Sequence, residues 1–280
     1  MTAPLRHPFD RHIDLVDQVA AIAPPPKAWA ELRDRYDGLL GFHETPMLDK
    51  LIEAVVNGDG DVPQLRALAL AEGLHERAET VIAVRTQVYP RLIQAYAKVA
   101  DANYAKVAAE FDHVAGEFAT AAVAGNPEAS GESIFGQPDP VRTGWLDAAK
   151  HAADLNRLTP ILVAAAELCG INAAADDTWL LALVIDTAGL HRRRVWEAWR
   201  VKGGRCGHWA ALAALGAQIR AADLDSFEPY REPRPLIRKQ FPRPGPGNRG
   251  LYDVVIVDPE DGPDTPQVEE PKPRRKALAR

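Results

Sequence analysis

The chain has 280 residues and a formal net charge of −6; 46% of it is hydrophobic and 26% charged, with 23 Pro, 20 Gly and two Cys. That is enough material for one large or two small domains with a buried core, and it excludes a wholly disordered chain. Cys169 and Cys206 are too few for a disulfide framework, no apolar run is long enough to span a bilayer, and the N-terminal Met1–His7 lacks the apolar stretch of a signal peptide, so a cytoplasmic setting or a virion is expected, without a membrane partner.

In chain order, Ile13, Val16, Val19 and Ala20 form a first apolar stripe that stops at Pro24-Pro25-Pro26. Trp29, Leu32, Tyr36 and Leu39 repeat at helical spacing and end near Gly41. Thr45-Pro46 reads as a cap with proline at the first helical position, and Asp61-Val62-Pro63 opens the next helix in the same way. From Glu76 to Ala124 the pattern predicts one long helix, kinked at Pro90, whose missing N–H breaks the hydrogen-bond ladder. Its seam is Val88, Leu92 and Val99, then Val107, Phe111, Val114 and Phe118. Joining the two runs through Asn103 takes steps of four and four, a discontinuity that locally unwinds a coiled coil. Such a seam needs a partner helix, from the same chain or from a second subunit, and self-association with a second copy is the expectation carried forward.

Residues 126–144 read as a linker by composition. A second helical group follows at 145–226: one helix from Trp145 to Leu158, one capped by Thr159-Pro160, one opened by Asp176-Asp177, one from His191 to Val201 and one from Gly207 to Ala222. Beyond Ser226 the prolines favour extended backbone, and Leu251–Asp258 is the one convincing strand. A lone strand cannot satisfy its own backbone, so Tyr252, Val254, Val255, Ile256 and Val257 either dock a protein partner, the expectation carried forward, or pack back within the chain as an extended strip or a small hairpin. The segment from Pro259 to Arg280 has a disordered composition with a basic end.

Charge is unevenly spread: residues 1–189 balance at −12, residues 190–249 at +8 and the last 31 at −2. A basic segment on an acidic chain fits either a polyanion partner or an internal complement. Within it, residues 178–201 have the outline of a helix-turn-helix, with Gly189 at the turn and Leu190, Val195 and Ala198 inward. Ile185 is a misfit, because it falls where the first helix carries a small residue. In that alternative reading Arg192, Arg193, Arg194, Arg200 and Lys202 contact DNA. No metal-ligand spacing, nucleophile motif or phosphate loop is present; Cys206-Gly207-His208 reads as a loop, and Glu110, Asp112 and Glu117 as the solvated side of the long helix. No catalytic residue, metal or cofactor is therefore assigned.

The expectation is an all-α fold: a helical bundle at 1–125 carrying the long helix 76–124, a linker, the second helical group, and an extended Pro-rich tail at 227–280 with one short strand. The expected function is a non-catalytic scaffold or assembly protein of virion or mobile-element type, self-associating through the long helix and docking through its tail. All of this depends on residues 76–124 being mostly rod, with the apolar edge hidden by other helices instead of enclosing a cleft of histidines and acids.

Overall fold

The computed structural model describes residues 7–40, 46–58, 60–73, 76–242, 252–261 and 268–269. The described chain is mostly helical, with eleven α-helices and five short strands. None of its helices is long and apolar enough to cross a membrane. It divides into two compact units, one of residues 1–107 with 164–171, the other of residues 108–163 with 172–280. The basic end from Pro271 to Arg280 lies outside the described residues.

The first unit holds α1 (Pro8–Val19), α2 (Lys27–Leu40), α3 (Pro46–Asn57), α4 (Val62–Gly73) and α5 (Glu76–Ala97), with the start of α6 (Ala100–Ala124). Its core joins Phe9, Ile13 and Val16 of α1 to Trp29 and Tyr36 of α2 and to Leu92 and Tyr96 of α5. Asp61 caps α4 by accepting from the Gln64 amide at 3.1 Å. Helices α3 and α4 pack on each other around buried Ala54 and leave Ile52, Val55, Val56, Leu68 and Leu70 exposed.

The long helix differs from expectation in where it breaks. Helix α5 continues through Pro90 without ending, and the interruption falls at Lys98 and Val99. Pro90 and Thr86, whose carbonyl the proline leaves without a donor, are both exposed, so that carbonyl lies on the solvent side. The break lies just before the irregular step at Asn103, a buried amide that donates to the Tyr96 hydroxyl at 3.2 Å. The apolar spacing thus located the interruption better than the proline did.

The second unit contains the rest of α6, then α7 (Gly131–Phe135), α8 (Asp139–Leu168, whose last residues belong to the first unit), α9 (Asp177–Val184), β1 (Ile185–Asp186), α10 (Arg192–Trp199), α11 (His208–Ala214) and β2 (Gln218–Ile219). A 3₁₀ turn at Leu224–Ser226 leads to β3 (Ile237–Pro242), β4 (Tyr252–Val257) and β5 (Val268–Glu269). The expected linker is therefore partly helical, and α8 runs through Pro160 as one helix where two were expected. Pro160 too is exposed, and the Thr159 hydroxyl donates back to the Leu155 carbonyl at 2.7 Å. Asp176 caps α9 as read, accepting from the Thr178 and Trp179 amides. Fully buried Phe111, Phe118, Leu155, Leu158, Leu181, Trp209 and Leu212 contribute to the unit's core, where Phe111 meets Trp209 edge-on.

Helix α8 runs antiparallel to α6 at very short range. A Cβ on Gly144 would lie 2.7 Å from the Ala124 Cβ and 3.0 Å from the Ala121 carbonyl. Gly144→Ala is expected to lower the unfolding free energy by about 1–3 kcal/mol through overpacking. Gly116→Ala, where a Cβ meets nothing within 4 Å, should hold stability or raise it by up to about 1 kcal/mol. Urea denaturation of the two variants checks this; equal stability would contradict the close approach.

Candidate functional site

The arginines singled out in the sequence lie at the start of α10, and the acids they meet come from the turn after β4. Arg193 grips Asp258 with Nε and a terminal nitrogen, one on each carboxylate oxygen, and also donates to the Arg234 carbonyl. Arg192 donates to Glu260 at 2.9 Å, and the other Glu260 oxygen accepts from the Arg234 amide and Nε at 3.0 and 3.2 Å. His191 Nε2 lies 2.8 Å from Asp261. Tyr230 completes the cluster: its hydroxyl donates to the Arg192 carbonyl at 2.6 Å, and its ring stacks on Trp196.

This network is half-buried, with side-chain exposures of 7% for Glu260, 12% for Asp258 and 16% for Arg193. The hydrogen bond from Arg193 holds the Asp258 carboxyl below its ordinary value, and the Arg234 amide does the same for Glu260. Burial pushes the Tyr230 hydroxyl up to about 12. The basic segment thus complements acids of its own chain at Arg192 and Arg193. Arg194, Arg200 and Lys202 are exposed and carry no ion pair among the described residues.

The helix-turn-helix outline is replaced by something else. Ile185, the misfit position, is the first residue of β1 and pairs with Ile219 of β2, so a strand and a turn through Gly189 separate α9 from α10. A recognition helix braced by a short turn is not what these residues build.

The tail strand is likewise already paired. β4 is central in an antiparallel sheet of order β3-β4-β5, with Ile237 opposite Val257 and Phe241 opposite Asp253 on one side and Val255 opposite Glu269 on the other. Tyr252, Val254, Val255, Ile256 and Val257 all pair with β3, and Val255 and Ile256 pair with β5 as well, so the expectation that β4 is a lone strand in need of a partner's sheet is corrected. The seam proposed for self-association is used up in the same way. Leu92, Val107, Phe111, Val114 and Phe118 are buried within a single chain, and Val88 and Val99 are half-buried.

A second constellation lies along the groove between α6 and α8, a space of about 970 Å³. Asp112, Glu117, Asp139, Asp147, His113 and His151 line it, with no Lys or Arg. Glu117 stands between the histidines, 3.6 Å from His113 Nε2 and 3.4 Å from His151 Nδ1. Asp112 accepts from the Ala221 amide at 2.6 Å, and burial pushes its carboxyl up. The sequence pattern places Glu117 on the solvated side of the long helix, which hides this grouping. The signal was there, in carboxylate–histidine pairs four apart at 113/117 and at 147/151.

The Cys206–His208 segment carries no activated thiol. Burial raises the Cys206 thiol and lowers His208, so each favours its neutral form. Glu128 fastens this loop by accepting from the Arg205 and Cys206 amides at 3.0 and 2.8 Å. Comparison of the chain with known protein families, with curated proteins and with solved structures finds no match.

The latch has a predictable acid response. A carboxyl whose folded pKa lies below its unfolded one stabilises the fold above the unfolded value, and that gain is lost as pH falls through the folded value. Protection of the β4 amides against hydrogen exchange is therefore expected to drop as the pH is taken from neutral to below the ordinary carboxylate range. Arg193→Ala should lose that protection already at neutral pH. Unchanged protection in the variant would show that the ion pairs do not hold the sheet.

Proposed function

We propose that this chain is a non-catalytic assembly protein that docks through its C-terminal sheet onto another copy of itself. The observation that carries the reading is the sheet's surface: Leu236, Ile237, Phe241 and Tyr252 are all about half exposed. Register places Ile237 and Phe241 on one face with Lys239 between them, and Tyr252 on the other. Ile237 and Phe241, flanking Lys239 on one face, are the apolar positions such a contact would use. Held by the latch, the sheet is ordered before it meets a partner, which reduces the entropy lost on binding.

Charge favours a second copy as the partner. Lys239 and Arg231 are exposed without ion pairs among the described residues, while residues 1–189 balance at −12. The α3–α4 hairpin of a neighbouring chain combines a rich apolar surface with a net −3 over residues 46–73. A sheet-to-hairpin contact joins two different surfaces, and repeating it yields a ring or an open chain. The intrachain burial of the long-helix seam argues against self-association through that helix.

Sedimentation over a range of concentrations tests this. The wild-type chain is expected to form oligomers, and Ile237→Glu with Phe241→Glu should return it to monomer while leaving the far-ultraviolet helical signal intact. Association unaffected by the double change would overturn the docking reading. A nucleic-acid complex that weakens steeply with salt, lost on changing Arg194, Arg200 and Lys202 to Ala, would favour the DNA-binding alternative instead.

A further inference from the structure

We propose that the pocket at the loop joining α10 to α11 binds a small phosphate monoester. Arg200 follows the last residue of α10, and the loop after it carries Lys202 and Arg205 among Gly203, Gly204 and Gly207. All three cations line one space of about 470 Å³, together with Asn156 of α8, Asp177 of α9, Trp199 and His208. Every one of these residues belongs to the second unit.

Positive charge dominates the lining. Arg200 and Lys202 are exposed and carry no ion pair among the described residues. Arg205 is already held in place: its guanidinium stacks 3.3 Å from the Trp145 ring centre and donates to the Pro127 and Trp145 carbonyls at 3.1 and 3.0 Å. Those acceptors are neutral, so the charge is fixed without being cancelled by them. Glu128 accepts from the Arg205 and Cys206 amides and lines the neighbouring groove instead of this pocket. Asp177 is the one acid among the described lining residues, against three cations. Such an imbalance in a concave site favours an anion.

Two uncharged groups add donors. Asn156 Oδ1 accepts from Trp209 Nε1 at 2.8 Å, which sets the orientation of the amide and leaves its nitrogen to donate. His208 packs against Trp199 and Trp209, with ring centres 4.6 and 4.3 Å away, and its buried Nε2 has no hydrogen-bond partner. A buried polar nitrogen of this kind is costly unless a partner reaches it. An oxyanion is a partner of the right sign for a ring that carries its proton there.

The number of donors and the size of the space select the class of anion. Phosphate brings more charge and more terminal oxygens than a carboxylate, and arginine with lysine is the usual set that meets it. The pocket lies within the size range of small-molecule sites and exceeds what a bare phosphate fills. Trp199 and Val201 offer the organic part an apolar wall, and Asp177 offers an acceptor for a hydroxyl. A sugar phosphate has this combination of parts.

Calorimetric titration of the full chain with inorganic phosphate and with ribose 5-phosphate tests the site, and binding counted per chain does not depend on self-association. One saturable site is expected, tighter for ribose 5-phosphate. Arg200→Ala and Lys202→Ala, both at exposed positions, should each weaken it at least about five-fold. Arg194→Ala, an exposed cation outside the lining, should leave it unchanged. Absence of saturable binding of either probe would overturn the proposal, and equal weakening by Arg194→Ala would reduce it to diffuse surface charge. Inorganic phosphate bound as tightly as the ester would overturn the monoester class. A DNA duplex that binds through Arg200 and Lys202 while neither small anion does would assign these cations to a nucleic-acid backbone instead.

Discussion

The C-terminal sheet of this protein stays in place by charge more than by burial. Its three strands supply little apolar cover of their own, and Val255 is the only one of their large apolar side chains that is buried among the described residues. What ties the sheet to the helices of its unit is the set Asp258, Glu260 and Asp261 against Arg193, Arg192, Arg234 and His191. Exposed ion pairs contribute little singly, but this set is half-buried, bidentate at Arg193 and shared among several partners, which is where such contacts count. The same pairing engages Arg192 and Arg193 within the chain: arginines that meet these carboxylates are not simultaneously on offer to phosphates.

A similar economy governs the apolar residues of α6. A helix with Val107, Phe111, Val114 and Phe118 on one edge must hide that edge, and the chain does so with its own core, which includes Trp209. No greasy stripe is left there for a second copy. Exposed apolar residues gather instead on the α3–α4 hairpin and the sheet, beside single exposed positions such as Val123 on α6 and Phe135 on α7.

How much of this was legible in the sequence depended on whether a signal was local. Helices with caps or periodic apolar faces were readable, as at Asp61 and Asp176 and along α1 and α2. Prolines misled in both directions. Pro90 and Pro160 sit on exposed helix sides and stop nothing, whereas the prolines around Ile237–Pro242 disguised β3. Its alternation of Ile237, Lys239 and Phe241 is a strand pattern, yet three apolar or basic positions between prolines are weak evidence alone. The ion pairs joining residues 191–193 to 258–261 span some 65–70 positions and leave no trace in local pattern; only the opposed charge balances hinted at them. The condition set on the long helix, that its edge be hidden by other helices, is met for the apolar side. The polar side of the same helix is where histidines and acids gather.

The close approach at Gly144 links packing to chemistry in that groove. Gly144 and His151 lie two turns apart on α8, and Ala121 and Glu117 one turn apart on α6, so the glycine contact and the histidine–glutamate contact share one antiparallel register. A side chain at position 144 would push the helices apart by a few tenths of an ångström or more. The small residues that line the groove therefore do more than open it: they set the distance at which His151 of one helix and Glu117 of the other face each other. A substitution that relaxes the packing at Gly144 would lengthen that contact as well as lower stability.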